Sequence, residues 1–207
     1  MINTKAHSLL QSTLLVGLAS AALSGCAALI VGGALGTALM VSDRRTSGVQ
    51  IEDQAIELKA LTRIRETVGD RGHISATSYN RTLLLTGEVA SEADRTALEQ
   101  SLSRIENLRS TVNELAVMGS SSVASRSSDT VLTSRVKASY LDAKDLQANS
   151  IKVVSERGTV YLMGRVTERE GTRATELARG ISGVQKVVRV FEVLSEAELT
   201  DLGTKKN

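Results

Sequence analysis

Cys26 carries the only thiol in the chain, and it ends the tetrad Leu23-Ser24-Gly25-Cys26. An apolar run from Leu9 to Leu23 precedes it, with Lys5 and His7 near the front. A positive start, an apolar core and small residues before a cut make a secretory signal. A single cysteine excludes an internal disulfide even in an exported chain, so hydrophobic cores must hold its domains together. Other residue types offer less chemistry. His73 stands alone before a predicted strand and reads as a surface residue. The Ser/Thr clusters lie in linkers without a paired base, and the carboxylates are spread through predicted helices as solvated faces. Gly32-Gly33 and Gly36 lack the strand–turn–helix setting of a phosphate loop. Two histidines and one cysteine do not build a zinc site. No catalytic residue, metal or cofactor is therefore expected. The formal net charge of +2 gives no sign of nucleic acid, and no small-molecule substrate is expected.

The tetrad Leu23–Cys26 resembles the lipobox of bacterial lipoproteins. The resemblance implies that residues 1–25 are removed and that Cys26 is acylated as the mature N-terminus. A buried cysteine in an ordinary transmembrane helix is the other reading of the same stretch. Ala27 follows the cysteine, where an Asp would retain a lipoprotein in the inner membrane. The resemblance therefore implies an outer-membrane anchor facing the periplasm. Residues 27–41, AALIVGGALGTALMV, are apolar and Gly-rich. They are short for a span, which needs roughly 20 residues, and read as a juxtamembrane segment. Asp43-Arg44-Arg45 marks the exit into water as a solvated linker, within a segment 26–51 joining anchor to domains.

The rest of the chain repeats itself. Residues 74–89, ISATSYNRTLLLTGEV, align without a gap on residues 151–166, IKVVSERGTVYLMGRV. Matched pairs include Ile74 with Ile151, Thr82 with Thr159, Leu85 with Leu162, Gly87 with Gly164 and Val89 with Val166. Each half alternates apolar and polar residues around a turn, which predicts a hairpin. The turn candidates are Asn80-Arg81 and Arg157-Gly158. A helix capped by Asp53 and bearing Ile56, Ala60, Ile64 and Val68 is expected before the first hairpin. One capped by Asp129 and bearing Leu132, Val136 and Tyr140 is expected before the second. Further helices at residues 92–105 and 168–181 are expected to follow. Closing strands come next, around Val112, Leu115 and Val117, and around Val187, Val190, Phe191 and Val193. The fold class is α+β: two tandem α-β-β-α-β domains, each with two helices on one face of a three-stranded sheet. The expected boundaries are 52–118 and 128–194. A flexible Gly/Ser-rich linker at 119–127 separates them, and a polar tail at 195–207 has a helical turn over 196–202.

Gly158-Thr159-Val160-Tyr161-Leu162-Met163-Gly164 and Gly183-Val184-Gln185-Lys186-Val187 resemble the BON domain family. The first repeat departs from that pattern, with Asn107 and Leu108 in place of Gly183 and Val184. The resemblance implies two non-catalytic BON domains. It also implies binding of anionic phospholipid through the second domain, and a part in outer-membrane integrity.

The charge pattern runs the same way. Residues 52–117 hold 8 Lys+Arg against 11 Asp+Glu, and residues 128–194 hold 11 against 8. On the helix after Asp129, a period of 3.6 turns Leu132, Val136 and Tyr140 to the core. Val131, Ala138 and Leu141 then point outward beside Arg135 and Lys137, a mixture suited to a lipid interface. The expected lipid-binding set is Val131, Arg135, Val136, Lys137 and Leu141, with Val136 counted both here and in the core. The dual-BON lipoproteins that the whole chain resembles carry a Trp where this chain has Val131, which removes an interfacial aromatic. The competing expectation is an adaptor whose exposed helix docks on outer-membrane assembly or quality-control proteins.

Overall fold

The computed structural model describes residues 43–204. The signal, Cys26 and the apolar segment 27–41 lie outside the described residues.

The first repeat opens with helix α1 (Ser47–Thr67), capped by Thr46, whose hydroxyl accepts from Val49 N–H. A short 3-10 turn leads to the antiparallel strands β1 (Gly72–Tyr79) and β2 (Thr82–Val89). Helix α2 (Glu92–Leu102) starts at the expected residue, with Ser91 as its cap. It returns the chain to β3 (Ser110–Asn113) and β4 (Ala116–Val117), both parallel to β2. The single closing strand expected here is split, because Asn113 turns its side-chain oxygen onto Leu115 N–H and breaks the ladder. The second repeat is more regular. Helix α3 (Val123–Asp142) precedes antiparallel β5 (Ile151–Glu156) and β6 (Thr159–Thr167). Helix α4 (Glu168–Arg179) has a full capping box between Thr167 and Glu170. Strand β7 (Lys186–Leu194) pairs with β6 in parallel. Helix α5 (Glu196–Thr204) follows, so the turn expected in the tail exists.

Both first helices begin earlier than the sequence indicated. Thr46 and Ser122 are the caps, and Asp53 and Asp129 sit about two turns inside. Residues 123–127 are therefore helical and not part of a flexible linker. The two aspartates have a different task. Asp129 accepts the backbone N–H groups of Arg157 and Gly158 at 2.8 and 2.9 Å. Asp53 accepts those of Asn80 and Arg81 at 2.8 and 2.7 Å. Each aspartate thus ties its helix to the tip of the hairpin that follows. All four turn residues have positive φ, from 49° to 71°, the pattern of a tight two-residue hairpin. Asn107 and Gly183, matched in the repeat, both adopt positive φ. Asn tolerates that conformation, so the first repeat keeps the loop without the glycine.

Alternation along the central strands builds three cores. Leu83, Leu85 and Val89 of β2 face Ile56, Ala60 and Ile64 of α1 and Leu98 and Leu102 of α2. Val160, Leu162 and Val166 of β6 face Leu132, Val136 and Tyr140 of α3 and Ala174 and Ala178 of α4. The opposite faces meet each other: Leu84 and Tyr79 pack with Tyr161 and Met163 in a third core. Strands buried on both sides read as continuous apolar runs, which accounts for TLLLTGEV and TVYLMG. The described residues fall within one compact unit.

The stretch expected to be a solvated linker is a clasp between the repeats. Arg44 forms a two-pronged pair with Glu170, both contacts at 2.7 Å, and also donates to Arg165 C=O. Arg45 bridges Asp43 and Asp53, each at 2.7 Å, and its guanidinium lies 4.1 Å over the Tyr79 ring.

Candidate functional site

The exposed arc of α3 is the site the sequence indicated. Val131 is 49% exposed and Leu141 70%, and Arg135 and Lys137 are exposed between them. Neither cation makes a side-chain hydrogen bond or ion pair among the described residues. Val136 does not belong with them. It is fully buried in the second core, about 140° round the helix from Val131, and is withdrawn from the surface set.

Two hollows flank the helix. On the Val131 side, a groove of about 760 Å³ lies between α3, the Arg157-Gly158 turn and the loop at Ser182-Gly183. Its floor is fixed by Gln185 N–H donating to Gly158 C=O at 2.8 Å. Arg135 stands at its edge. On the Leu141 side, a hollow of about 310 Å³ is shared by Lys137, Leu141, Tyr79, Asp43 and Arg45. Asp43, the first of the described residues, thus lies beside Leu141 near the end of α3.

Electrostatics around the clasp follow from burial. Burial raises the Glu170 carboxyl, but Arg44 and the Thr167 N–H together outweigh it and hold the group below its ordinary range. Burial, then Asp43, pushes the Tyr79 hydroxyl up to about 12, with Arg45 opposing.

A second group was missed. The sequence placed His73 alone on the surface and the carboxylates on solvated helix faces. Glu88, last but one in β2, and Glu156, last in β5, are instead 0% and 6% exposed beside His73. Burial pushes Glu156 up to about 7, with Glu88 and Asp129 adding and Arg157 and Arg126 opposing. Among the described residues these three are the set that could hold a metal, with ligand atoms within 4.8 Å of one another. The signal in sequence was weak: a charged residue at the end of each hairpin strand looks like any solvated strand end.

Comparison with known proteins gives the class. The BON domain family matches residues 52–119 and 128–195, and the chain belongs to that family. Among individual relatives, it is 34% identical to the outer membrane lipoprotein DolP of Haemophilus influenzae over 174 residues. That alignment covers 83% of this chain and 90% of the relative. It is 25% identical to a 21 kDa hemolysin of Actinobacillus pleuropneumoniae, over 72% of this chain and 78% of the other. Among solved structures, CdsD, a structural protein of the type III secretion system of Chlamydia trachomatis, aligns at 12% identity with a TM-score of 0.26. It covers 70% of this chain and 97% of its own. No helix among the described residues is long and apolar enough to cross a membrane.

Proposed function

We propose that this chain is a non-enzymatic outer-membrane lipoprotein, acylated at Cys26 and facing the periplasm. It binds anionic phospholipid through α3 of its second BON domain and so supports the outer membrane. The observation that carries this reading is the exposed arc of α3, where Val131 and Leu141 bracket Arg135 and Lys137, cations without an ion pair among the described residues. Apolar side chains enter the interface while the cations meet headgroup phosphates, each cation worth about 1 kcal/mol near an anionic surface. The place of Asp43, in the hollow that Leu141 and Lys137 line, supports the same orientation. An anchor already holding the protein at the membrane makes a weak second contact sufficient. The name of the Haemophilus relative, an outer membrane lipoprotein, supports the localisation.

The groove beside Val131 favours a second reading, an adaptor that receives a segment of an envelope assembly protein. Co-sedimentation of residues 43–207 with vesicles of anionic or zwitterionic lipid separates the two. Salt-sensitive binding to the anionic vesicles alone is expected; equal or absent binding to both favours the adaptor.

A further inference from the structure

We propose that His73, Glu88 and Glu156 form a divalent-cation site at the seam between the two BON domains, suited to a borderline transition cation with Zn²⁺ foremost. The three side chains come from β1, β2 and β5, so two are supplied by the first repeat and one by the second. Three of their atoms, His73 Nδ1, Glu88 Oε1 and Glu156 Oε1, are buried and have no hydrogen-bond partner among the described residues. Buried polar atoms are otherwise nearly always paired. An unpartnered carboxylate oxygen on a buried side chain is costly to leave so. Here two such carboxylates face one imidazole.

The neighbours do not satisfy them. Arg157 Nε forms an ion pair with Glu88 Oε1 at 3.6 Å but is too far for a hydrogen bond, and its Nη1 donates to Met118 Sδ. His73 Nδ1 stands 3.9 Å from Glu88 Oε2, again beyond hydrogen-bond range. The Ser121 N–H donates to Glu88 Oε2 at 3.1 Å and leaves Oε1 for another partner. Such an outer contact is the kind that orients a metal ligand. His73 and Glu156 also line a hollow of about 490 Å³, with room for water to complete the coordination. Arg126 and Lys137 share that hollow, so long-range attraction contributes little and the ion must be held by direct bonds.

The donor set selects the ion. One imidazole nitrogen with carboxylate oxygens suits Zn²⁺ or Mn²⁺, whereas Mg²⁺ and Ca²⁺ prefer oxygen alone. Zn–N and Zn–O bonds of about 2.0–2.2 Å require ligand atoms roughly 3.3 Å apart in a tetrahedron. The observed spread, up to 4.8 Å, closes by side-chain rotation of the two glutamates. A bound ion would join the open end of the first hairpin to the turn of the second.

The test uses the full chain in detergent micelles, stripped with EDTA and titrated with Zn²⁺, Mn²⁺, Mg²⁺ or Ca²⁺ by calorimetry. One Zn²⁺ per chain is expected. The melting temperature should rise by several degrees at about 100-fold excess over Kd, and Mg²⁺ and Ca²⁺ at the same concentration should leave it unchanged. Co²⁺ should give a tetrahedral visible spectrum. His73→Ala and Glu156→Gln should each weaken Zn²⁺ binding by about tenfold or more and remove the spectrum, while melting like the stripped parent. If Glu156→Gln does not fold, His73→Ala, whose side chain is partly exposed, decides alone. Absence of saturable Zn²⁺ uptake, or uptake undiminished in His73→Ala, overturns the proposal; the second result places the ion elsewhere on the chain.

Discussion

Arg44 and Glu170, 126 positions apart, form a fork-to-fork ion pair in which both nitrogens donate at 2.7 Å and both side chains are less than one-tenth exposed. The pair joins the segment ahead of the first domain to the first turn of the last helix of the second. Glu170 also accepts the Thr167 N–H in the capping box, so one carboxylate fastens both the clasp and the helix start. Breaking such a pair from one side leaves a buried charge. Arg44→Ala should therefore cost about 3 kcal/mol, roughly 10 °C in melting temperature. The double variant Arg44→Met with Glu170→Gln should recover most of that loss, as read by urea midpoints.

The same pair fixes an acid dependence. The folded Glu170 carboxyl lies below its ordinary value of 4.5. Its contribution is therefore fully present above that value and is lost as pH falls through the lowered folded value. Urea midpoints of the parent and Arg44→Ala should be far apart at neutral pH and should converge in acid. A constant gap at every pH would show that Arg44 acts through packing alone.

Asp53 and Asp129 test the hairpin ties. Asp53 accepts two turn N–H groups, the Ser78 hydroxyl at 2.6 Å and Arg45. Asp129 accepts two N–H groups. Hydrogen bonds to a charged group contribute about 1.5–3 kcal/mol each, and water replaces part of that at an exposed turn. Asp129→Ala should cost about 2 kcal/mol and Asp53→Ala about twice as much. Were the aspartates helix caps, both costs would be near 1 kcal/mol and equal.

The matched glycines are required for separate reasons. A Cβ on Gly164 would stand 2.6 Å from Ser150 C=O, though its φ is ordinary. A Cβ on Gly87 would overlap His73 C=O, and its φ is +113°. Gly164→Val should lower the melting temperature by about 5 °C or more, and Gly87→Val further still. Glu88, beside Gly87, is fully buried as well, so a substitution there also disturbs the packing.

The proposed lipid face has the clearest variant. Val131→Glu with Leu141→Glu adds charge at exposed positions, so melting should change little. Binding to anionic vesicles should be lost, since each aliphatic chain contributes up to roughly 1.5–3 kcal/mol when buried. Arg135→Glu should weaken binding and reduce its salt dependence. A folded double variant that binds as before would move the lipid face elsewhere. In the full chain, mass spectrometry of the mature N-terminus should show acylated Cys26, and Cys26→Ser should leave residues 1–25 in place.

Local pattern carried the element order, both hairpins and their turns, since period-two alternation and residues tolerant of positive φ are properties of neighbouring residues. It also carried the outward face of α3, where Val131, Arg135, Lys137 and Leu141 are exposed as their helical spacing requires. The sequence by itself therefore determined two α-β-β-α-β repeats and the exposed arc of α3 in the second. Only the tertiary structure decided what the free faces of the two sheets do. Leu84 and Met163 meet across 79 positions, and no local period encodes which apolar face finds which partner. The same holds for charge. Asp53, Asp129, Arg44, Glu88 and Glu156 look like caps, linker or solvated strand ends in one dimension. They become ties, clasp and seam because chain packing removes water from them and leaves other parts of the chain as their partners.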